Sequence, residues 1–288
     1  MGGSGPQGPT GQVANTNTSA FPVGTGGPSA HSIFANLNGT ISAWAAGAAA
    51  SIQVTTPGAL YTGLAINQAQ TRLYAANGAG SGSINVFNSS FTPVSLGPNP
   101  FMTPSQVPTG FVPFNVQNIN GTVFVTYAPP GRANQISATP GMGAVAAFDE
   151  DGNFLRMAAV NSRLAAPWGL ALAPAGFGPF GGELLVGNFS FVASEINAFD
   201  LNGNLVGTIP IDTGGKPPGG LWALDFGTAG SNGSPNTLFF TDGINGEMDG
   251  LFGAINVPGP VVGAGLPGLV MACGGLVGLA RRRRRKIV

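Results

Sequence analysis

A unit of roughly fifty residues recurs along this chain, and no other feature of the sequence limits the fold so tightly. One copy holds YTGLAIN (61–67), RLYAANG (72–78) and SINVFNSSFTPV (83–94). The next holds FNVQNING (114–121), TVFVTYA (122–128) and AVAAFDEDGNFLRM (144–157). A third is PWGLALAP (167–174), ELLVGNF (183–189) and INAFDLNGNLVGTI (196–209); a fourth is LWALDFG (221–227), TLFFTDG (237–243) and LFGAI (251–255). Counted from Gly63, Phe114, Gly169 and Trp222, the copies start 51, 55 and 53 residues apart. SIFANLNGTISAW (32–44) reads as an incomplete earlier copy.

Each piece is short and either continuously apolar or alternating, as buried and half-buried strands are. FDEDGNFL and FDLNGNLV occupy the same place in successive copies. Asp-Gly and Asn-Gly between apolar runs signal hairpins, because glycine accepts the positive φ such turns need. Strands in units of this length, repeated radially, predict an all-β chain folded as a β-propeller of roughly five visible blades, the first incomplete. The repeat predicts blades over 31–256, after a segment 1–30 rich in Gly, Pro, Ser and Thr that reads as loop or disorder. Gly and Pro together make 72 of the 288 residues, which alone borders on a disordered composition. The 43% hydrophobic content and 19 phenylalanines supply a core and argue for tight turns between buried strands instead.

The end of the chain is built differently. Residues 261–280 carry no charge, and as a helix they extend roughly 30 Å, the thickness of a bilayer's hydrocarbon. Arg281, Arg282, Arg283, Arg284, Arg285 and Lys286 follow directly. Clustered arginine beyond a span marks its cytoplasmic side, so the body is expected across the membrane, with 281–288 as a basic cytoplasmic tail. Those six cations leave five Lys and Arg against eleven Asp and Glu in the body. An acidic body argues against nucleic acid as a partner. The single cysteine, Cys273, falls in the expected span, which excludes a disulfide framework and a thiol metal site.

Val257-Pro258-Gly259-Pro260, the span, the arginine cluster and the chain end, in that order, resemble the PEP-CTERM sorting signal. That resemblance implies export in a Gram-negative bacterium, handling by the membrane protease-transferase exosortase, and an exopolysaccharide matrix as neighbour. Gly259 stands where the family usually has glutamate. The body is similar to a bacterial β-propeller family of uncharacterised function that often carries such tails. The similarity rests on IFANLNGTISAW, YTGLAI with RLYAAN, PFNVQNINGTVFVTYA, APWGLALAPAGFGPFGGELLVGNF and DGLFGAI. Members of that family usually start with a signal peptide and a further blade, so the resemblance implies a segment upstream of Met1.

Chemistry-bearing motifs are sparse. His31 is the only histidine, which excludes multi-histidine metal sites and argues against a Ser-His-Asp hydrolase. No nucleophile elbow, P-loop or dinucleotide-binding glycine motif occurs. Asp149, Asp151 and Asn153 have the opening spacing of a calcium loop, but Ala158 and Val160 stand where its closing glutamate belongs, and a hairpin is the better reading. Asp225, Asp242, Glu247 and Asp249 form the densest acidic group and offer oxygen ligands for Ca²⁺; a solvated loop is the plainer account. Six Asn-x-Ser/Thr sequons, among them those at Asn38, Asn120 and Asn188, read as turn asparagines. Trp168 and Trp222 are repeat-equivalent and read as blade packing, and Trp44 lies at a strand end.

The expectation is an exported, membrane-anchored or surface-sorted propeller with a non-enzymatic binding or structural role and no catalytic residue, metal ligand or cofactor assigned. The alternative is a propeller enzyme, lactonase- or lyase-like, with a metal in the central channel. Carboxylates and asparagines from several blades converging on the axis favour the enzyme; an apolar or glycine-lined channel favours binding.

Overall fold

The computed structural model describes residues 8–160 and 163–256. Within them the repeat becomes five antiparallel sheets, the blades of a β-propeller. Blade one is β1 (Pro9–Ala14), β2 (Ser32–Asn36), β3 (Thr40–Trp44) and β4 (Ser51–Thr55). Blade two is β5 (Tyr61–Ile66), β6 (Arg72–Asn77) and β7 (Ser83–Asn88). Blade three is β8 (Val112–Ile119), β9 (Thr122–Ala128), β10 (Ala144–Phe148) and β11 (Phe154–Ala159), with the short helix α1 (Arg132–Ile136) between β9 and β10. Blade four is β12 (Pro167–Leu172), β13 (Leu184–Asn188), β14 (Glu195–Phe199) and β15 (Leu205–Pro210). Blade five is β16 (Pro218–Phe226), β17 (Thr237–Ile244) and β18 (Asp249–Asn256).

Two expectations about this ring are corrected. The first blade is not incomplete but has four strands, because PTGQVA in the segment read as loop pairs with β2 as β1. Proline is tolerated at the first residue of a strand, and Gly11 sits at a register shift, so neither breaks it. The three-stranded blades are two and five. Beside β7 the chain still runs close, with a bridge from Phe87 to Pro93 and the Val94 amide donating to the Val86 carbonyl. The expected span 261–280, the motif 257–260 and the basic residues 281–286 lie outside the described residues. Among the described residues no helix is long and apolar enough to cross a membrane.

The inner strands β1, β5, β8, β12 and β16 stand side by side in chain order. Each carries a register shift near its start, next to Thr10, Thr62, Phe114, Trp168 and Trp222. These five residues are repeat-equivalent, 52, 52, 54 and 54 residues apart. The bulge leaves such a residue outside the ladder and free to turn away from the sheet. The residue that follows decides how closely the next blade approaches. A Cβ on Gly11 would lie 2.4 Å from the Leu64 amide nitrogen, one on Gly63 2.1 Å from Asn115 Oδ1, and one on Gly169 2.3 Å from the Trp222 carbonyl. Glycine is required there by space.

Between consecutive blades lie separate apolar cores. Phe21, Ile33, Tyr61 and Phe87 fill the space between blades one and two; Tyr74, Phe101, Val125 and Phe148 that between two and three. Leu170, Val186 and Phe199 pack on Phe124 and Val145, and Phe177, Leu185 and Ile196 on Leu224 and Phe240. Among the described residues no comparable core joins blade five to blade one.

Candidate ligand-binding face

The loops that lead into the inner strands, together with those that join the second and third strands, gather at one end of the propeller. There they surround a depression of about 700 Å³. Its walls include Thr10, Thr62, Phe114 and Trp222 from four inner strands, with Arg132 and Phe189 from the loops. The aromatic rings meet edge to face. Phe114 and Phe189 have centroids 5.4 Å apart, Phe189 and Trp222 4.8 Å, and Trp222 and Trp168 5.3 Å. Such pairs contribute about 1 kcal/mol each beyond their burial and hold the rings in fixed orientation. The Arg132 guanidinium lies 5.7 Å from the Phe189 centroid, placing a cation over an aromatic face.

Hydrogen bonds between blades hold this wall. Trp168 Nε1 donates to the Thr62 carbonyl at 2.8 Å, linking blade four to blade two. Asn115 Nδ2 donates to the Trp168 carbonyl at 2.7 Å. Thr10 Oγ1 donates to the Tyr61 carbonyl at 2.8 Å. Asn115 occupies the position of Gly11, Gly63 and Gly169, and there a buried amide side chain makes the link. The two repeat-equivalent tryptophans therefore differ: Trp222 lines the depression and Trp168 braces it.

Beside Trp222 a second cleft, of about 570 Å³, opens at the top of blade five. Asp242, at the end of β17, and Glu247, in the β17–β18 turn, line it. Asp242 is only 2% exposed. Its Oδ1 accepts from the Ser194 hydroxyl at 3.4 Å and its Oδ2 has no hydrogen-bond partner among the described residues. Glu247 Oε2 pairs with Arg132, while Oε1 is buried without a partner among the described residues. Burial pushes the Asp242 carboxyl up to about 6; the Ser194 hydroxyl opposes this and the Glu247 charge reinforces it.

The expected acidic group does not stay whole. Asp249 bonds Lys216 Nζ at 2.9 Å, and that ammonium holds its carboxyl below the usual range. Asp225 is exposed further along β16, in register with Phe239 rather than with Asp242. The calcium-like spacing of Asp149, Asp151 and Asn153 is a hairpin turn. Asp149 Oδ1 accepts from the Asp151 and Asn153 amides, and Oδ2 from Asn153 Nδ2. Asp200 repeats the arrangement with Asn202 and Asn204. In both turns glycine takes the positive φ, Gly152 at 83° and Gly203 at 80°. The first hairpin also clamps blade three to blade two: the Glu150 carbonyl accepts from Tyr74 Oη and Arg72 Nη1, and Asp151 pairs with Arg72. Burial, only partly offset by Arg72, pushes the Tyr74 hydroxyl up to about 12.

His31 is exposed beside Trp44, with ring centroids 6.1 Å apart, away from both cavities. Asn188 is fully buried, donating to the Arg163 carbonyl and accepting from the Ala165 amide, so its sequon is structural. Arg132, Phe189, Thr10 and Thr62 were not singled out from the sequence. The two threonines had a signal available, since they occupy the repeat position of Trp168 and Trp222; Arg132 and Phe189 had none.

No family model matches the chain. Curated proteins of similar sequence include three uncharacterised proteins of Acanthamoeba polyphaga mimivirus. One is 34% identical over 53% of this chain and 38% of its own length. Another is 28% identical over 86% of this chain and 47% of its own length, and a third is 34% identical over 56% and 43%. The chain spans less than half the length of the curated relatives it matches. These relatives are viral, so the bacterial setting implied by the tail's resemblance gains no support from them. Among solved structures, a gluconolactonase-like protein from a structural-genomics consortium is 16% identical, with a TM-score of 0.53 over 90% of this chain and 80% of that one. A chain of a nidogen/laminin complex is also 16% identical, with a TM-score of 0.51 over 80% of this chain and 74% of that one. At this identity the likeness carries the fold alone: the protein is a β-propeller.

Proposed function

We propose that this propeller is a non-enzymatic binding protein whose central depression takes a polyhydroxylated ligand of saccharide size. The observation that carries the reading is the repeat-equivalent set Thr10, Thr62, Phe114, Trp168 and Trp222, which has hydroxyl and aromatic side chains and no carboxylate. A cavity near 700 Å³ with apolar walls and a few polar groups has the build of a small-molecule site. The half-buried Trp222 ring suits the C–H face of a sugar ring, and Asn38, Thr62 and Gln135 offer hydrogen bonds to its hydroxyls. A lactonase- or lyase-like reaction on the axis calls for carboxylates from several blades there; the buried acids of this face lie to one side, at blade five. The uncharged stretch 261–280 and the cations behind it then hold the body outside the membrane, where a polysaccharide matrix is the expected ligand source.

Titration of the full-length chain with a panel of oligosaccharides, read by tryptophan fluorescence and calorimetry, tests the site. Binding that weakens about tenfold or more in Trp222→Ala is expected, the loss of the partly exposed stacking ring. Absence of binding across the panel, or turnover of a lactone or uronide substrate, overturns the reading. Protease added to intact cells whose outer envelope has been permeabilised tests the location, because an extracytoplasmic body must be digested.

A further inference from the structure

We infer that the cleft beside Trp222 is a cation subsite that takes the ammonium group of an organic ligand on the carboxylates of Asp242 and Glu247. This goes beyond the reading of the central depression and, Trp222 apart, stands on separate residues. Asp242 Oδ2 and Glu247 Oε1 are both buried and, among the described residues, both without a hydrogen-bond partner. A buried anion without a partner costs free energy in proportion to its lost hydration, so native structures rarely leave one unmatched without a functional reason. The neighbouring cations are already engaged. Arg132 bonds the other oxygen of Glu247, and Lys216 bonds Asp249. Ser194 reaches only Asp242 Oδ1. One oxygen of each of these two cleft-lining carboxylates is therefore left unmatched among the described residues.

The surroundings select the kind of cation. Calcium takes six to eight oxygens, and among the described residues no group of three His, Cys, Asp or Glu side chains could hold a metal ion. An ammonium group has only three N–H donors to satisfy and is attracted to aromatic faces. Trp222 and Phe252 line the same cleft, and Phe252 is fixed by stacking on Phe239 at 5.6 Å, nearly parallel. Met248 at its rim is 76% exposed, which leaves room for a carbon chain to reach the acids.

The test uses the full-length chain in mild detergent, titrated with n-butylammonium, with its neutral isostere n-butanol and with CaCl₂, followed by calorimetry and tryptophan emission. The expected result is at least tenfold preference for n-butylammonium over n-butanol, falling about tenfold in Asp242→Asn and in the same direction in Glu247→Gln. Glu247 lies in a surface turn, so Glu247→Gln keeps the inference testable if Asp242→Asn misfolds. Equal binding of n-butanol, an affinity that neither variant changes, or calcium binding without ammonium binding each overturns it. Loss of this result with oligosaccharide binding intact removes the subsite and leaves the depression; the converse leaves the subsite standing.

Discussion

The central depression and the acid cleft beside it share Trp222, yet they treat polar atoms in opposite ways. In the depression's wall Trp168, Asn115 and Thr10 each place a donor on a carbonyl of another blade. In the cleft, two carboxylate oxygens are withdrawn from water and given no partner among the described residues. The first arrangement fixes geometry and costs little to keep. The second is retained at a cost in stability, which is the mark of residues held for a ligand rather than for the fold. Satisfaction of buried groups thus separates brace from site on one face of one propeller.

That contrast can be broken or sharpened by substitution. The largest effect is expected at the brace. Gly169→Ala puts a methyl 2.3 Å from the Trp222 carbonyl, backbone that cannot swing aside, and should lower stability by more than about 3 kcal/mol in urea unfolding. A neutral outcome would show that blades four and five separate easily. Trp168→Phe keeps the ring packing and orphans the Thr62 carbonyl; a loss of about 1–2 kcal/mol is expected, with the depression's tryptophan emission shifted.

At the cleft the sign reverses. Asp242 has its folded pKa raised from 3.8 to about 6, so between those values the native state holds more protons than the unfolded chain. Stability therefore falls as pH rises through that window, and the penalty is complete above it. Asp242→Asn should stabilise the protein at pH 7 by on the order of 2 kcal/mol and leave it unchanged at pH 3.5, read as the difference between two urea profiles. Destabilisation at pH 7 would mean that the carboxylate is matched after all. The smallest effect belongs to Arg132→Ala, expected to cost under about 1 kcal/mol because its partner contact is half exposed, while still removing the cation over Phe189.

Much of this was legible in the residues. The repeat fixed the blade class because period-2 strands and Asp-Gly or Asn-Gly hairpins have few other ways to recur at such spacing. Its register was off by one residue at Gly63 and Gly169, since the bulge beside each hides which of two neighbours turns inward. PTGQVA escaped notice because proline, threonine and glycine are common to loops and to bulged inner strands alike. Asp242 was grouped with Asp225 and Asp249 by proximity in sequence, and only pairing shows that Lys216 answers one acid while one oxygen of another stays unmatched among the described residues. Arg132 meets Glu247 across 115 residues, a distance no local pattern spans.

That the described residues build no shared core between blades five and one has a mechanical meaning. Among the described residues the four seams run in series, as in a cut washer, so blades two to four share cores on two sides and blades one and five on one. Nearest-neighbour coupling of that kind predicts fraying from blades one and five inward, with backbone amides of β17 and β3 trading hydrogen for deuterium sooner than those of β9.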